Sequence, residues 1–540
     1  MVSFANRNGI ILIAISIAVA LAIVIGISHT QKSTASSMNK RRAAGVPISL
    51  PTRQTENQWF KDGVKLIRDN LNRQPLTHTA KNTILFLGDG MGITTTTAAR
   101  ILAGQMLNQS GEEYVLSWEK FPWSALSKTY NVDQQVPDSA GTGTAFLNGV
   151  KTNAGVIGVD EAVKRGFCQS LNESNKVLSI LTLAEMAGMS TGIVTTTRVT
   201  HATPACLYAH SPERGWESDR DLRRKAKDDA SNCTDIALQL IEYPFGDGIE
   251  VIFAGGRREL IPNNETDPEY PDLKGERLDG RNLIQEWVDK FPNSQYVWNK
   301  TGFDQIDVNK VDHVLGLFEY SHMQYEVFRK ENETEPSIEE MTEKAINILQ
   351  KNPKGYFLLV EGGRIDHGHH GTKAVRALND AVAMAKACEK ATEMTNREDT
   401  LVVVTADHSH VFSMGGYAKR GNSIFDLVVK VGETTPDVAK DKLPYTVLGY
   451  ANGPGGERVN GTRQDLTGVD TGDSDFEQQA TVWLSSETHG GDDVGIYADG
   501  PGAYLFSGVV EQPYIFHVMD HAMCLSDSKR DTCDRHPARE

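Results

Sequence analysis

The chain has 540 residues, of which 39% are hydrophobic, 23% are charged and 48 are glycines. That is a globular composition with material for a large core, and it excludes a fibrous, disordered or multi-span membrane protein. Lys and Arg number 55 against 71 Asp and Glu, a formal net charge of −16. This balance argues against nucleic-acid binding, which needs clustered cations.

The first element is an uncharged run of nineteen residues, 10–28. It is long enough to span a bilayer and longer than the core of most signal peptides. Residues 1–30 therefore read as a signal peptide or signal anchor, and the Ser/Thr/Arg-rich stretch 31–53 as a stalk. Lys40, Arg41 and Arg42 follow the run and would favour a cytosolic remainder. Seven Asn-x-Ser/Thr sequons, at Asn108, Asn172, Asn232, Asn264, Asn299, Asn332 and Asn460, favour export instead. The body is read as extracellular, attached to the cell surface or secreted. Membrane contact would come only through the N-terminal segment, since no apolar tail follows Cys533.

Residues 57–72 carry Trp59, Phe60, Val64, Ile67 and Leu71 at helical spacing. Apolar, β-prone runs follow at 84–90, 192–197, 250–256, 356–363 and 401–410, each ending in a polar loop. Helical patterns lie between them at 176–187, 230–242, 281–290 and 372–394. Strands alternating with helices predict an α/β fold: a large, mostly parallel sheet with helices on both faces. Residues 415–485 break the pattern, with weak strands such as 445–450, and read as an inserted subdomain. The whole is one large domain over 54–525, followed by a polar tail at 526–540. Cys524 and Cys533 suit a local bridge and Cys168 and Cys233 a longer one, leaving Cys206 and Cys388; spacing alone leaves the connectivity open.

Open α/β sheets bind ligands beyond the carboxyl ends of their strands. Five segments rich in metal-ligand types fall there: 88–92, 138–142, 361–370, 407–410 and 488–490. Carboxylates with imidazoles suit zinc, and carboxylates with hydroxyls suit magnesium. Asp366 and His370 are four apart, so a helix starting there points both at one ion. Ser139 precedes a run of small residues that can open a helix, whose N-terminus attracts anions. It is the nucleophile candidate, and with no Ser-His-Asp spacing its hydroxyl needs a metal for activation.

These motifs resemble the animal-type alkaline phosphatases: Leu87-Gly-Asp-Gly-Met-Gly92, Pro137-Asp-Ser-Ala-Gly141, Val194-Thr-Thr-Thr-Arg-Val-Thr-His201, Val360-Glu-Gly-Gly-Arg-Ile-Asp-His-Gly-His-His370, Thr405-Ala-Asp-His-Ser-His410 and Glu487-Thr-His-Gly490. The resemblance covers roughly 55–525 and implies a phosphate monoester hydrolase acting through a phosphoserine at Ser139. It implies one zinc on Asp366, His370 and His489, and a second on Asp89, Asp407 and His408. Magnesium would share Asp89 and add Glu361 and Thr203, with His201 and His367 nearby. Arg214 would clamp phosphate oxygens. A calcium ion would take Glu269, the Phe318 carbonyl, Glu319 and Glu335, the last standing where relatives often have Asp. The family also has bridges matching Cys168–Cys233 and Cys524–Cys533, a crown-like inserted subdomain, and homodimers contacting through an N-terminal arm like 57–72. The competing readings are a sulfatase, whose Cys/Ser-x-Pro-x-Arg motif the chain lacks, a phosphodiesterase, and an inactive surface protein, which would have lost ligands.

Overall fold

The computed structural model describes residues 49–329 and 334–527. The apolar N-terminal run, Lys40 to Arg42, Asn332 and Cys533 lie outside the described residues. Among the described residues no helix is long and apolar enough to cross a membrane. The chain divides into two units, 1–74 and 75–540. In the first, the expected amphipathic helix runs Gln58–Asn72, opened by the Asn57 side chain accepting from the Trp59 N–H. Its Trp59, Ile67 and Leu71 are exposed.

The second unit is built on a ten-stranded sheet. Its strands are β1 (Asn82–Gly88), β2 (Trp123–Lys128), β3 (Ser190–Arg198), β4 (Val251–Gly255), β5 (Ser294–Val297), β6 (His313–Leu317), β7 (Tyr356–Gly362), β8 (Thr400–Ala406), β14 (Val494–Asp499) and β15 (Val509–Glu511). The order is β15-β2-β14-β8-β1-β7-β3-β4-β6-β5. Only β14 runs against the rest, pairing antiparallel with β8 and β2. The central strands β1, β7 and β8 are buried along their whole length. Their side chains alternate between two cores, as a strand's period of two requires. Ile84, Phe86, Leu358, Val360, Val402 and Val404 face one core, with helices Ile93–Met106, Ile338–Leu349 and Ala374–Met394. Leu85, Leu87, Phe357, Leu359, Leu401 and Val403 face the other, with helices Ser139–Asn148 and Tyr514–Met523. Continuous apolar runs are the sequence signature of strands covered on both faces.

Two expected helices are shorter than their patterns. The one expected over 176–187 spans Ile180–Met186, because Ser179 caps it by accepting from the Thr182 N–H. The one expected over 230–242 spans Ile236–Ile241, because Asp235 caps it by accepting from the Leu238 N–H. The run at 401–410 is also divided: β8 ends at Ala406, and β9 (Ser409–His410) pairs instead with β13 (His489–Gly490). That turn brings His489 back to the sheet. The region 415–485 is irregular around a small sheet of β10 (Phe412–Met414), β11 (Leu448–Gly453) and β12 (Ala480–Trp483). Cys168 and Cys233 form a disulfide closing a separation of 65 residues. Cys206 and Cys388 are free and buried.

Candidate active site

The polar loops at the carboxyl ends of β1, β3, β7 and β8 converge. Asp89 follows β1, Glu361 ends β7, and Asp407 and His408 follow β8. Asp366 and His370 lie on the helix Arg364–His370, as their spacing predicts. Gly90 has φ +69°, and a Cβ there would stand 2.3 Å from His410 Nε2, so only glycine lets this loop close over the site.

The first group of donors is Asp366, His370 and His489. Asp366 Oδ1 is 3.3 Å from the Nε2 of each histidine, and the two Nε2 atoms are 3.1 Å apart. His370 Nδ1 faces the Glu487 carbonyl at 2.6 Å and His489 Nδ1 the Pro137 carbonyl at 2.7 Å. A carbonyl only accepts, so both Nδ1 atoms carry a proton, and in the neutral rings both Nε2 atoms present lone pairs. Two lone pairs at this distance repel unless a cation sits between them. Tetrahedral zinc, with ligands at about 2.0–2.2 Å, separates its donors by roughly 3.3–3.6 Å. The group fits zinc.

The second group is Asp89, Asp407 and His408, whose ligand atoms lie within 4.8 Å of one another. His408 Nδ1 is 3.2 Å from the Ser409 carbonyl, which leaves Nε2 bare. That lone pair faces Asp407 Oδ2 at 3.2 Å, Asp89 Oδ1 at 3.6 Å and Ser139 Oγ at 3.2 Å. His408 Nδ1 meets no carboxylate there, so Ser139 and His408 are not part of a Ser-His-Asp triad. Both Asp89 carboxylate oxygens are buried with no hydrogen-bond partner. Burial, with Asp407, Asp366 and Glu361 nearby, pushes the Asp89 pKa far up. Bound cations would let these carboxylates ionise together.

The third group is Asp89, His201 and Glu361. Glu361 Oε2 accepts from the Thr195 hydroxyl, while Glu361 Oε1, Thr203 Oγ1 and His201 Nδ1 are buried without partners. Oxygen donors dominate, which suits magnesium. His201 lies among them, but its Nε2 accepts from Arg214 Nη2 at 3.2 Å, which leaves the oxygen groups as the magnesium donors. His367 lies 5.5 Å from His201, ring to ring.

Ser139 is 2% exposed, at the start of the ten-residue helix Ser139–Asn148. Asp138 caps that helix, accepting from the N–H groups of Ala140 and Gly141. Burial would raise the Asp138 pKa, but Arg214 and the backbone N–H groups outweigh it and hold it low. Arg214 Nη1 donates to Asp138 Oδ2 at 3.0 Å, which fixes the guanidinium beside Ser139.

The proposed calcium ligands lie apart from these groups. Glu335 is pushed up to about 8 by burial and by Glu319 and Glu269. Glu269 accepts from Arg257 at 2.7 Å, and Glu319 from the hydroxyl of Tyr270 and the amide of Gln324.

Two residues of the centre stand in the quoted motifs without a role there. His410 Nε2 is 2.8 Å from Asp366 Oδ1 and its Nδ1 is 2.6 Å from Glu487 Oε2. Burial opposes charge on His410, but Glu487 and Asp366 outweigh it, and its pKa is raised to about 10. The imidazolium holds Asp366 from behind. The signal in the sequence was position: His410 falls in the ligand-rich segment 407–410, and Glu487 stands two residues before His489.

The model of the family described as "Alkaline phosphatase" matches residues 80–525. The tissue-nonspecific alkaline phosphatase of Rattus norvegicus is 51% identical over 474 residues, 86% of this chain and 88% of that protein. The alkaline phosphatase of Gadus morhua is 49% identical, covering 90% of this chain and all of that one. Among solved structures, Thermus thermophilus alkaline phosphatase superposes with a TM-score of 0.60 at 23% identity, covering 89% of this chain and 96% of that one. The enzyme from the Antarctic bacterium TAB5 gives 0.57 at 21%, covering 84% and 100%.

Proposed function

This chain belongs to the alkaline phosphatase family and hydrolyses phosphate monoesters, and on that premise we propose that it does so through a phosphoserine at Ser139 in a centre for two zinc ions and one magnesium. The observation that supports this most is the 3.1 Å approach of the Nε2 atoms of His370 and His489, beside the Asp366 carboxylate. One zinc takes Asp366, His370 and His489. The other takes Asp89, Asp407 and His408, and magnesium takes Asp89, Glu361 and Thr203. The bound ions supply Lewis acidity, lowering the pKa of a hydroxyl or water and stabilising charge on the phosphoryl and leaving oxygens.

Ser139 Oγ attacks phosphorus in line with the departing alcohol oxygen, forming the serine O–P bond as the ester bond breaks. Water then attacks the phosphoserine from the vacated side, releasing phosphate and restoring the hydroxyl. Arg214, pinned by Asp138, presents its remaining N–H groups to the phosphoryl oxygens. His201 lies 3.2 Å from Arg214 Nη2 and steadies the clamp from the other side.

The same reading carries a calcium ion on Glu269, the Phe318 carbonyl, Glu319 and Glu335, and a homodimer using the exposed apolar side of Gln58–Asn72. It also carries an exported glycoprotein, cell-surface or secreted, with sugar on exposed sequons such as Asn172, Asn232 and Asn264. The deciding experiment is acid trapping of the phosphoenzyme during p-nitrophenyl phosphate turnover. Ser139→Ala is expected to lose the trapped phosphate and several orders of magnitude in turnover, and near-normal turnover in that variant would remove Ser139 as nucleophile.

A further inference from the structure

His322 has no part in the assignment above, yet it stands at the wall of the site. Its ring lies 4.3 Å from that of His367 and 5.3 Å from that of His201. The three imidazoles form a triangle, and His322 is the corner farthest along the chain from any quoted motif. Its Nε2 faces Nη1 of Arg198 at hydrogen-bond distance. A guanidinium has only donors, so this nitrogen accepts; Nδ1 faces the Arg198 backbone N–H at 3.3 Å, and because a neutral imidazole accepts at one nitrogen only, the shorter Nε2 contact is the hydrogen bond. Burial, with His367 and Arg198 alongside, pushes the His322 pKa down.

Arg198 is itself fixed. Its Nε and Nη2 make a two-pronged pair with Glu217 at 2.7 and 2.6 Å, and Glu217 also accepts from Thr200 Oγ1 at 2.7 Å. The opposite side of the triangle is held less firmly. His367 Nδ1 has one anchor, Arg364 Nη1 at 3.1 Å, and His201 Nδ1 is buried without a partner. His201 Nε2 in turn touches Nη2 of Arg214. A rigid pair, Arg198 and Glu217, is thus connected through one imidazole to two less constrained rings and the phosphate clamp.

We propose that His322 is a positioning residue for phosphate: anchored on Arg198, it wedges the His201 and His367 rings in place and so fixes Arg214 for the phosphoryl group. This rests on the roles given above to Arg214, His201 and His367. A group that acts by orienting others at a site shifts affinity by roughly 10–100-fold when removed. Ground-state phosphate binding is the direct readout, because the clamp holds product as well as substrate.

The experiment measures inorganic phosphate Kd by calorimetry, phosphate Ki, KM, kcat, zinc content and Tm on the metal-replete full chain. The variants are His322→Ala, His322→Leu, which keeps bulk without an acceptor, and His322→Gln, which returns an acceptor to Arg198. Ala and Leu are expected to weaken phosphate about tenfold and raise KM alike. Gln is expected to recover most of the loss, with zinc content unchanged throughout. In an Arg214→Ala background the effect of His322→Ala should vanish, as coupled residues require. A lowered Tm with unchanged phosphate Kd and KM would overturn the proposal, as would Gln behaving like Leu. If Arg214→Ala alone left phosphate Kd unchanged, the clamp role assigned above would fail; a His322 effect that persisted there would overturn the route through Arg214.

Discussion

The two ends of the central sheet both bury carboxylates, and they neutralise them differently. At the carboxyl end, Asp89, Glu361, Asp366 and Asp407 crowd together with imidazoles whose lone pairs face inward. At the amino end, Glu185 and Glu250 meet at Thr191, whose hydroxyl donates to Glu185 and whose N–H donates to Glu250 at 2.6 Å. Among the described residues no imidazole is grouped with that pair as a converging metal donor. Burial, then Glu250, raises the Glu185 pKa to about 9, and burial raises that of Glu250 to about 7. Burial alone does not make a metal centre. Protonation of the carboxyl suffices where carboxyls meet hydroxyl and amide donors, whereas imidazole lone pairs beside carboxylates call for a cation.

The contrast breaks most visibly at His489. His489→Ala removes one of the two facing lone pairs, so about one zinc per subunit should be lost and turnover should fall by roughly three orders of magnitude, about 4 kcal/mol in barrier. Elemental analysis together with kinetics checks this, and full zinc content in the variant would mean that the carboxyl end is balanced in some other way. A smaller effect belongs to the Asp366–His410–Glu487 chain. Glu487→Gln leaves the site's ligands intact but weakens the charge that holds the His410 imidazolium, so zinc affinity should drop about 10–100-fold by competition with a chelator. An unchanged affinity would make the chain structural only.

The amino end should show the smallest effect, with the opposite pH dependence. A carboxyl whose folded pKa lies above its unfolded value contributes stability that is complete below the unfolded pKa, near 4.5, and is lost as pH rises through the folded one, near 9. Metal ligands behave the other way, releasing their ions as pH falls and protons compete for them. Glu185→Gln, always neutral, should therefore gain Tm over the parent as pH rises from 6 to 9 while phosphatase activity stays the same. A Tm difference that does not change with pH would show that Glu185 ionises freely in the fold.

Much of this was legible without coordinates. Continuous apolar runs ending in polar loops predict the two-faced sheet and the site at its carboxyl edge, because both follow from periodicity within a few residues. The i, i+4 spacing of Asp366 and His370 likewise places both on one helical turn. The helix lengths near 180 and 236 were not legible, because capping by Ser179 and Asp235 overrode a longer apolar pattern.

The residue types therefore determined the chemistry: carboxylates, imidazoles and one serine, in a fold that gathers strand ends. Only the tertiary structure decided how they are matched. His489 meets His370 across 119 residues and His408 meets Ser139 across 269. His322 reaches its triangle from a loop that carries no motif. No local periodicity encodes such contacts; they are set by strand order and by which partner each buried polar atom finds once water is gone.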